Sequence, residues 1–286
     1  MAKNTFRWFV LVAVAIAAGE LQTNPTGPVP SGTSRPFQAG YVLKRVPLGA
    51  VHPRQAYPRQ RLWESTSGNW SGYAVPLDTS KVTDTFSYVE GTWTVPAVTG
   101  SRGSASYAAT WVGLDGYTDG TVEQIGTLQE WDGREQQNYA WFEMYPGPMY
   151  EIEGFPVNPG DSIAAQVTYE GNDVFKLTIT NLTRAGGYVV PGAYTTSTST
   201  MARSSAEWIV EAPSTEERGR VETLPLAEFG TIGFSNCYAT GGKGTGAIGS
   251  LWAADPLTMI NPNGGEALPS SLPSGGSAAF TVTWAK

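Results

Sequence analysis

The chain has 286 residues, ample for one large core, with 34 Gly, 20 Pro and a formal net charge of −7. No long stretch repeats apolar residues at i, i+3 and i+4, so the composition points to strands joined by many turns, and the acidic balance argues against nucleic acid as a partner. With one cysteine (Cys237) and one histidine (His52), no intrachain disulfide is possible.

The chain opens on MAKNTFRWFVLVAVAIAAGE, in which Lys3 and Arg7 precede an apolar run from Trp8 to Ala18. Ala15-Ile16-Ala17 offers a small-x-small cleavage pattern, so residues 1–18 are expected to be a secretory signal and the remainder to be exported without stable membrane association. Residues 1–65 hold eight basic residues against two acids, a net of +6, whereas residues 66–286 carry −13. A Pro-rich basic stretch over 19–65 suits a removable pro-segment drawn by charge to the acidic body over 66–286, as an intramolecular inhibitor. His52 falls in that segment. The body therefore has no histidine, which removes Ser-His-Asp and Cys-His catalysis and the usual His-bearing zinc sites.

From Asn69 onward the pattern predicts short strands near 70–75, 86–95, 106–113, 121–130, 137–145, 162–169, 173–180, 187–194, 205–211, 227–239, 247–253 and 278–284. Turn chemistry such as TDG, WDGRE, EGND and RAGG separates them. The polar stretch 261–277 reads as a long loop within the domain. The last strand alternates Phe280, Val282 and Trp284 against Thr281 and Thr283. Such patterning implies an all-β fold, a sandwich of two antiparallel sheets of jelly-roll or concanavalin-like type. Cys237, in a strand-like run, reads as a small buried core residue.

Three stretches could carry chemistry without histidine. ATWVGLDGYTDGTVEQIGT (109–127) brings Trp111, Asp115 and Gln124 into a strand-turn-strand unit; YAWFEMYP (139–146) places Glu143 among aromatics; SSAEWIVEAP (204–213) places Glu207, Ile209 and Glu211 on one strand face and Ala206, Trp208 and Val210 on the other. A carboxylate among apolar neighbours is an edge group facing water or one kept for chemistry. By default Trp111 and Trp141 are core aromatics, Asp115 is a turn residue, Gln124 points outward and Glu143 is an edge acid. The oxygen spacing in DGYTDG does not match the helix-loop-helix calcium signature, and no metal or cofactor is expected. Asn69-Trp70-Ser71 and Asn181-Leu182-Thr183 are formal glycosylation acceptors.

NWSGYA (69–74), TWVGLDG (110–116), EQIG (123–126), WFEMYP (141–146), AEWIVE (206–211) and FGTIGF (229–234) resemble, in that order, the successive motifs of the glutamic peptidases, the eqolisin family. The resemblance covers roughly residues 66–286. It implies a secreted, acid-active endopeptidase with a glutamine–glutamate dyad, carried over to Gln124 and Glu207, with protein or peptide substrates. It further implies substrate-side roles for Trp70, Trp111, Trp141, Glu143 and Tyr145, with Asp115 as an orienting partner. Gln129 is the fallback for the glutamine of the dyad, since the loop between Trp111 and Gln124 is one residue shorter than the pattern of fungal members. Fungal members tend to have disulfides, which this chain cannot form, so it reads as a divergent member; a monomer is expected. The alternative from a different class is a β-sandwich glycoside hydrolase or carbohydrate-binding protein, with Glu143 and Glu207 as its carboxylate pair.

Overall fold

A computed structural model describes residues 42–45, 65–77, 84–184, 186–194, 201–217 and 220–286. The expected signal over 1–18 and most of the expected pro-segment, including His52, lie outside the described residues. Among those described, the regular structure is all strand: β1 (Val42–Arg45), β2 (Ser65–Ser67), β3 (Trp70–Pro76), β4 (Tyr88–Thr94), β5 (Ser106–Leu114), β6 (Val122–Trp131), β7 (Gln136–Tyr145), β8 (Tyr150–Glu153), β9 (Ser162–Gly171), β10 (Val174–Asn181), β11 (Gly186–Tyr194), β12 (Ser205–Glu211), β13 (Ser214–Glu217), β14 (Arg220–Thr223), β15 (Thr231–Gly241), β16 (Gly244–Ala247), β17 (Asp255–Ile260), β18 (Glu266–Pro269) and β19 (Phe280–Ala285).

One layer runs β8-β7-β6-β5-β12-β3-β17 and the other β19-β15-β4-β9-β10-β11, with β18 joining β17 to β19. These pairings are antiparallel, while β2 adds a short parallel contact to β17. The result is one large curled sheet folded on itself, a sandwich as the alternation implied. Its main core lies between the layers, where Val112, Ile125, Phe142 and Trp208 meet Val89, Trp93, Ile163, Phe175 and Phe234, all buried. Two indoles tie the layers together: Trp208 donates to the Glu90 carbonyl at 2.7 Å, and Trp93 to Thr127 Oγ1 at 3.0 Å. Burying an indole N–H without a partner is unfavourable, so these bonds fix which ring crosses where. Cys237 is buried in the same core.

A second apolar cluster covers the outer face of the first layer: Trp70, Ala74, Ala109, Trp111, Tyr117, Val122, Leu128, Trp141, Met149, Ile209 and Leu257. Because β12 is buried on both faces, its alternation sends Ala206, Trp208 and Val210 inward and Glu207, Ile209 and Glu211 to this outer face. The acids of the AEWIVE strand thus stand on the face that carries the aromatic cluster.

Three expectations shift. A strand expected over 247–253 is instead a turn, with Ser250 Oγ donating to the Ala247 carbonyl at 2.7 Å, and the strand forms at Asp255–Ile260 despite Pro256. The expected loop 261–277 contributes β18, which pairs with both β17 and β19. Val42–Arg45, in a region without strand alternation, pairs with β8. Edge pairing supplies what the local pattern lacks. Both glycosylation acceptors are closed. The Asn69 amide donates to Glu211, the Asn181 amide to Pro156 O and Asp161, and the two residues are 1% and 2% exposed.

Candidate active site

The strand registers align the chemical groups in a single row across the outer face. Glu207 on β12 lies opposite Gly113 on β5, Gly113 opposite Gln124 on β6, and Gln124 opposite Glu143 on β7. Adjacent strands are about 4.8 Å apart, so the backbones of Glu207 and Gln124 stand roughly 10 Å from one another with only a glycine between them. Their side chains stand on the same face, one on either side of that glycine. Gln129 has the opposite parity on β6, the side of Ile125 and Thr127 that faces the inter-layer core, so Gln124 is the glutamine in the row. The expectation that a strand glutamine here points to water by default fails: Gln124 is fully buried, as is Glu207.

Gln124 Nε2 donates to Glu143 Oε2 at 2.8 Å, both side chains buried. A carboxylate accepts only, so this bond fixes the amide plane and turns its NH₂ toward Glu143. On the same face of β7, Trp141 stands opposite Gly126, and Tyr145 stands opposite Val122 at the strand end. Trp111 occupies the next row, between Ile209 and Gly126, and packs edge-on against Trp70 with ring centroids 5.0 Å apart. Gly126 is bare for a reason: a Cβ there would stand 2.6 Å from Trp111 Cβ and 2.2 Å from the Thr110 carbonyl.

Asp115 follows β5 in the left-handed region (φ 68°) and ties this layer to the entrance of β12. It accepts from the backbone N–H groups of Arg203 at 2.7 Å and Ser204 at 2.6 Å, and its own N–H donates to the Ser205 carbonyl at 3.0 Å. The Ser204 hydroxyl is shared with Asp119, whose Oδ2 lies 2.8 Å away. Asp115 thereby sets where the strand bearing Glu207 begins.

Electrostatically the row sits above a nest of acids. Burial pushes the Glu207 carboxyl well above the usual glutamate range, and the carboxyls of Asp115, Asp119 and Glu123 push it further. The Ser205 hydroxyl opposes this, although among the described residues neither its Oγ nor either Glu207 oxygen has a hydrogen-bond partner of normal geometry. Burial likewise raises Glu123, with Asp115 and Asp119 adding to it, and Glu123 is fully buried on the inward face between Leu114 and Met144, where neither oxygen has a partner of normal geometry among the described residues. Burial and Asp119 raise Asp115 to about 8 despite its two backbone donors. The folded chain therefore favours neutral carboxyls here.

Sequence reasoning missed several of these parts. Gly113 is the spacer in the row, and its signal was only the register. A Cβ there would stand 3.1 Å from Trp111 Cζ3 and 3.2 Å from Gln124 Cβ. Gly113→Ala is therefore expected to lower kcat/KM on a peptide by at least about tenfold while the protein still folds, because displacing aligned groups is expensive in rate. Steady-state kinetics with a melting curve check it, and an unchanged kcat/KM in the folded variant would remove the spacer role. Glu123, beside Gln124 in EQIG, gave no sequence signal for inward burial.

Against this geometry, comparison with known proteins is direct. The model of the Peptidase A4 family matches residues 68–284. Aspergillopepsin-2 of Aspergillus niger is 28% identical over 238 residues, covering 76% of this chain and 78% of the relative. Scytalidopepsin B of Scytalidium lignicola is 29% identical over 201 residues, covering 69% of this chain and 70% of the relative. The crystal structure of scytalido-glutamic peptidase with a transition state analog inhibitor superposes with a TM-score of 0.64 at 26% identity, over 76% of this chain and 98% of that one. The resemblance in the six motifs is thus borne out, and the carbohydrate alternative gives way. The chain belongs to the Peptidase A4 family, the glutamic peptidases or eqolisins, and is a glutamic endopeptidase acting on proteins or peptides.

Proposed function

We propose that the protein is a secreted, monomeric acid endopeptidase whose peptide-bond hydrolysis runs on Glu207 and Gln124. Glu207 takes a proton from the attacking water and returns it to the leaving amine, a general base and then a general acid. The first step needs the ionised carboxylate, so it runs on the fraction of Glu207 that has lost its proton; the raised proton affinity makes each such carboxylate a stronger base and holds the proton for the second step. Gln124 donates an amide N–H to the oxyanion of the tetrahedral intermediate. Its other N–H is the one given to Glu143, which holds the amide in the orientation the oxyanion needs. Because an amide does not titrate, this donor persists in acid, where an imidazole would be charged. The observation that carries the reading is the row Glu207–Gly113–Gln124–Glu143. Trp70, Trp111, Trp141 and Tyr145 on the same face would wall the substrate, and Asp115 would hold the entrance of β12.

The leader over 1–18 would direct export and the basic segment over 19–65 would hold the enzyme inactive until acid. Supporting the latter, β1 lies within that segment and pairs with β8 in a register that sets the Lys44 position opposite Glu151. Attraction between the basic segment and the acidic body favours the pairing, and protonating acids of the body weakens it.

Purified full-length protein moved to acid is expected to shorten near Arg61–Ser67 and then to digest a denatured protein, undisturbed by pepstatin-type inhibitors. Gln124→Ala is expected to fold and to lose about 10²–10³ in kcat, the usual effect of one oxyanion donor. A folded Gln124→Ala with full rate overturns the dyad, and an uncut full-length form of undiminished activity overturns the inhibitory pro-segment.

A further inference from the structure

Glu211 ends β12 on the same outer face as Glu207 and is fully buried. Its Oε2 accepts from the indole N–H of Trp111 at 2.8 Å, and its Oε1 accepts from the Asn69 amide at 3.1 Å. Asn69 is itself anchored: the Ser67 hydroxyl donates to its Oδ1 at 3.2 Å, and its carbonyl accepts from the Ala212 N–H at 2.8 Å. The carboxyl is therefore braced against β2, the β2–β3 turn and its own strand, and it grips one end of the Trp111 ring.

The other end of that ring reaches the reacting row. Trp111 Cζ3 lies 3.1 Å from the point where a side chain at Gly113 would begin, and that point is 3.2 Å from Gln124 Cβ. Since Gly113 has no side chain, the benzo edge of Trp111 is the floor between Gln124 and Glu207. An indole in an apolar slot has alternative settings about its outer torsion, and only a fixed partner for its N–H selects one. Trp70 packs edge-on at 5.0 Å, which confines the ring without choosing its direction.

We propose that Glu211 is a positioning residue for catalysis: by holding the Trp111 indole N–H it sets the floor of the gap between Glu207 and Gln124. The assignment rests on the dyad reading above. A purely structural role explains the residue poorly, because apolar side chains in place of the carboxylate and its partners together would pack a buried position at least as well. What an apolar side chain cannot do is fix the direction of the indole.

Three variants test this in the acid-matured enzyme: Glu211→Met, Glu211→Gln and Trp111→Phe, each alone and with Trp111→Phe combined with each Glu211 change. Met keeps the volume without an acceptor, whereas Gln turns an NH₂ against one of the two donors. Expected for Glu211→Met is a lowered melting temperature, since the buried donors of Trp111 and Asn69 lose their acceptor, in a protein that still folds, with kcat lowered about 10- to 100-fold and KM within about twofold, the pattern of misplacement rather than lost binding. Trp111→Phe is expected to lower kcat comparably, and the double variants to be no worse than the worse single, since both changes break one linkage. A folded Glu211→Met or Glu211→Gln with wild-type kcat, or double variants whose losses multiply, overturns the proposal. If neither Glu211 variant folds, Trp111→Phe with wild-type kcat overturns it equally. Glu207→Gln is run beside them. An active Glu207→Gln sinks the dyad itself, while a dead one beside fully active Glu211 variants sinks only the positioning role.

Discussion

Glu207→Gln is expected to lose about 10²–10⁴ in kcat, the usual weight of a general acid–base group, and to melt at a higher temperature than wild type at neutral pH. The two effects have one cause. Glu207 is fully buried, its oxygens have no donor among the described residues, and burial together with neighbouring acids raises its proton affinity. Wild type must therefore hold a proton against neutral solvent or bury a charge, whereas glutamine of the same shape is neutral at every pH. Near pH 3 the two proteins should melt alike. Such a trade of stability for activity is typical of groups kept for chemistry. Melting curves at both pH values, beside peptide-cleavage rates, check it. Full activity would remove Glu207 from the reaction, and equal melting at pH 3 and pH 7 would show that its carboxyl is not held neutral.

Stability of the whole domain is expected to fall as pH rises. Asp115, Glu123 and Glu207 all have proton affinities raised in the folded state, Asp115 to about 8. Their stabilising contribution is fully present below the unfolded carboxyl pKa of about 4, and it is lost as pH climbs through the folded values. Across that window each extra proton held by the folded state changes stability by about 1.4 kcal/mol per pH unit. Asp161 works the other way. Burial alone would raise it, but Asn181 and Arg184 outweigh burial and hold it low, so its contribution appears above the usual carboxylate range and is lost in acid. Three clustered acids should outweigh one. Chemical denaturation of the inactive Gln124→Ala variant from pH 3 to pH 8 should show a steady decline, steepest between about 4 and 8. A flat or rising profile would mean that the nest is not protonated in the native state.

How much of this was legible in the sequence varies with the physics involved. Alternation in SSAEWIVEAP was enough to put Glu207 and Glu211 on one face and Trp208 on the other, because a strand has no third choice. The sandwich followed from the same periodicity. The strand at Asp255–Ile260 was missed because Pro256 reads as a breaker and the apolar run before it reads as a strand, while pairing with β3 decides the matter. Six ordered motifs led to Gln124 and Glu207, but nothing local could tell that Gly113 lies between them or that Trp111 reaches Glu211 across 100 positions. Those facts live in registers between distant strands. Glu123 hid for a related reason: its inward parity follows from β6, yet an acid at an inward position contradicts the pattern used to find the core.

The place of β12 in its layer has a consequence for biosynthesis. It lies between β3 and β5, although it leaves the ribosome long after both. Until it arrives, a nascent chain has an unfilled slot one strand wide, about 10 Å between the backbones of β3 and β5, with two unpaired edges inviting intermolecular pairing. Insertion of a late strand between early ones is a high-contact-order event and therefore slow. It is also the step that delivers Glu207. On the proposed dyad, a chain interrupted before β12 has neither a closed sheet nor the carboxyl that would react, so it could cut no neighbour until that strand is in place.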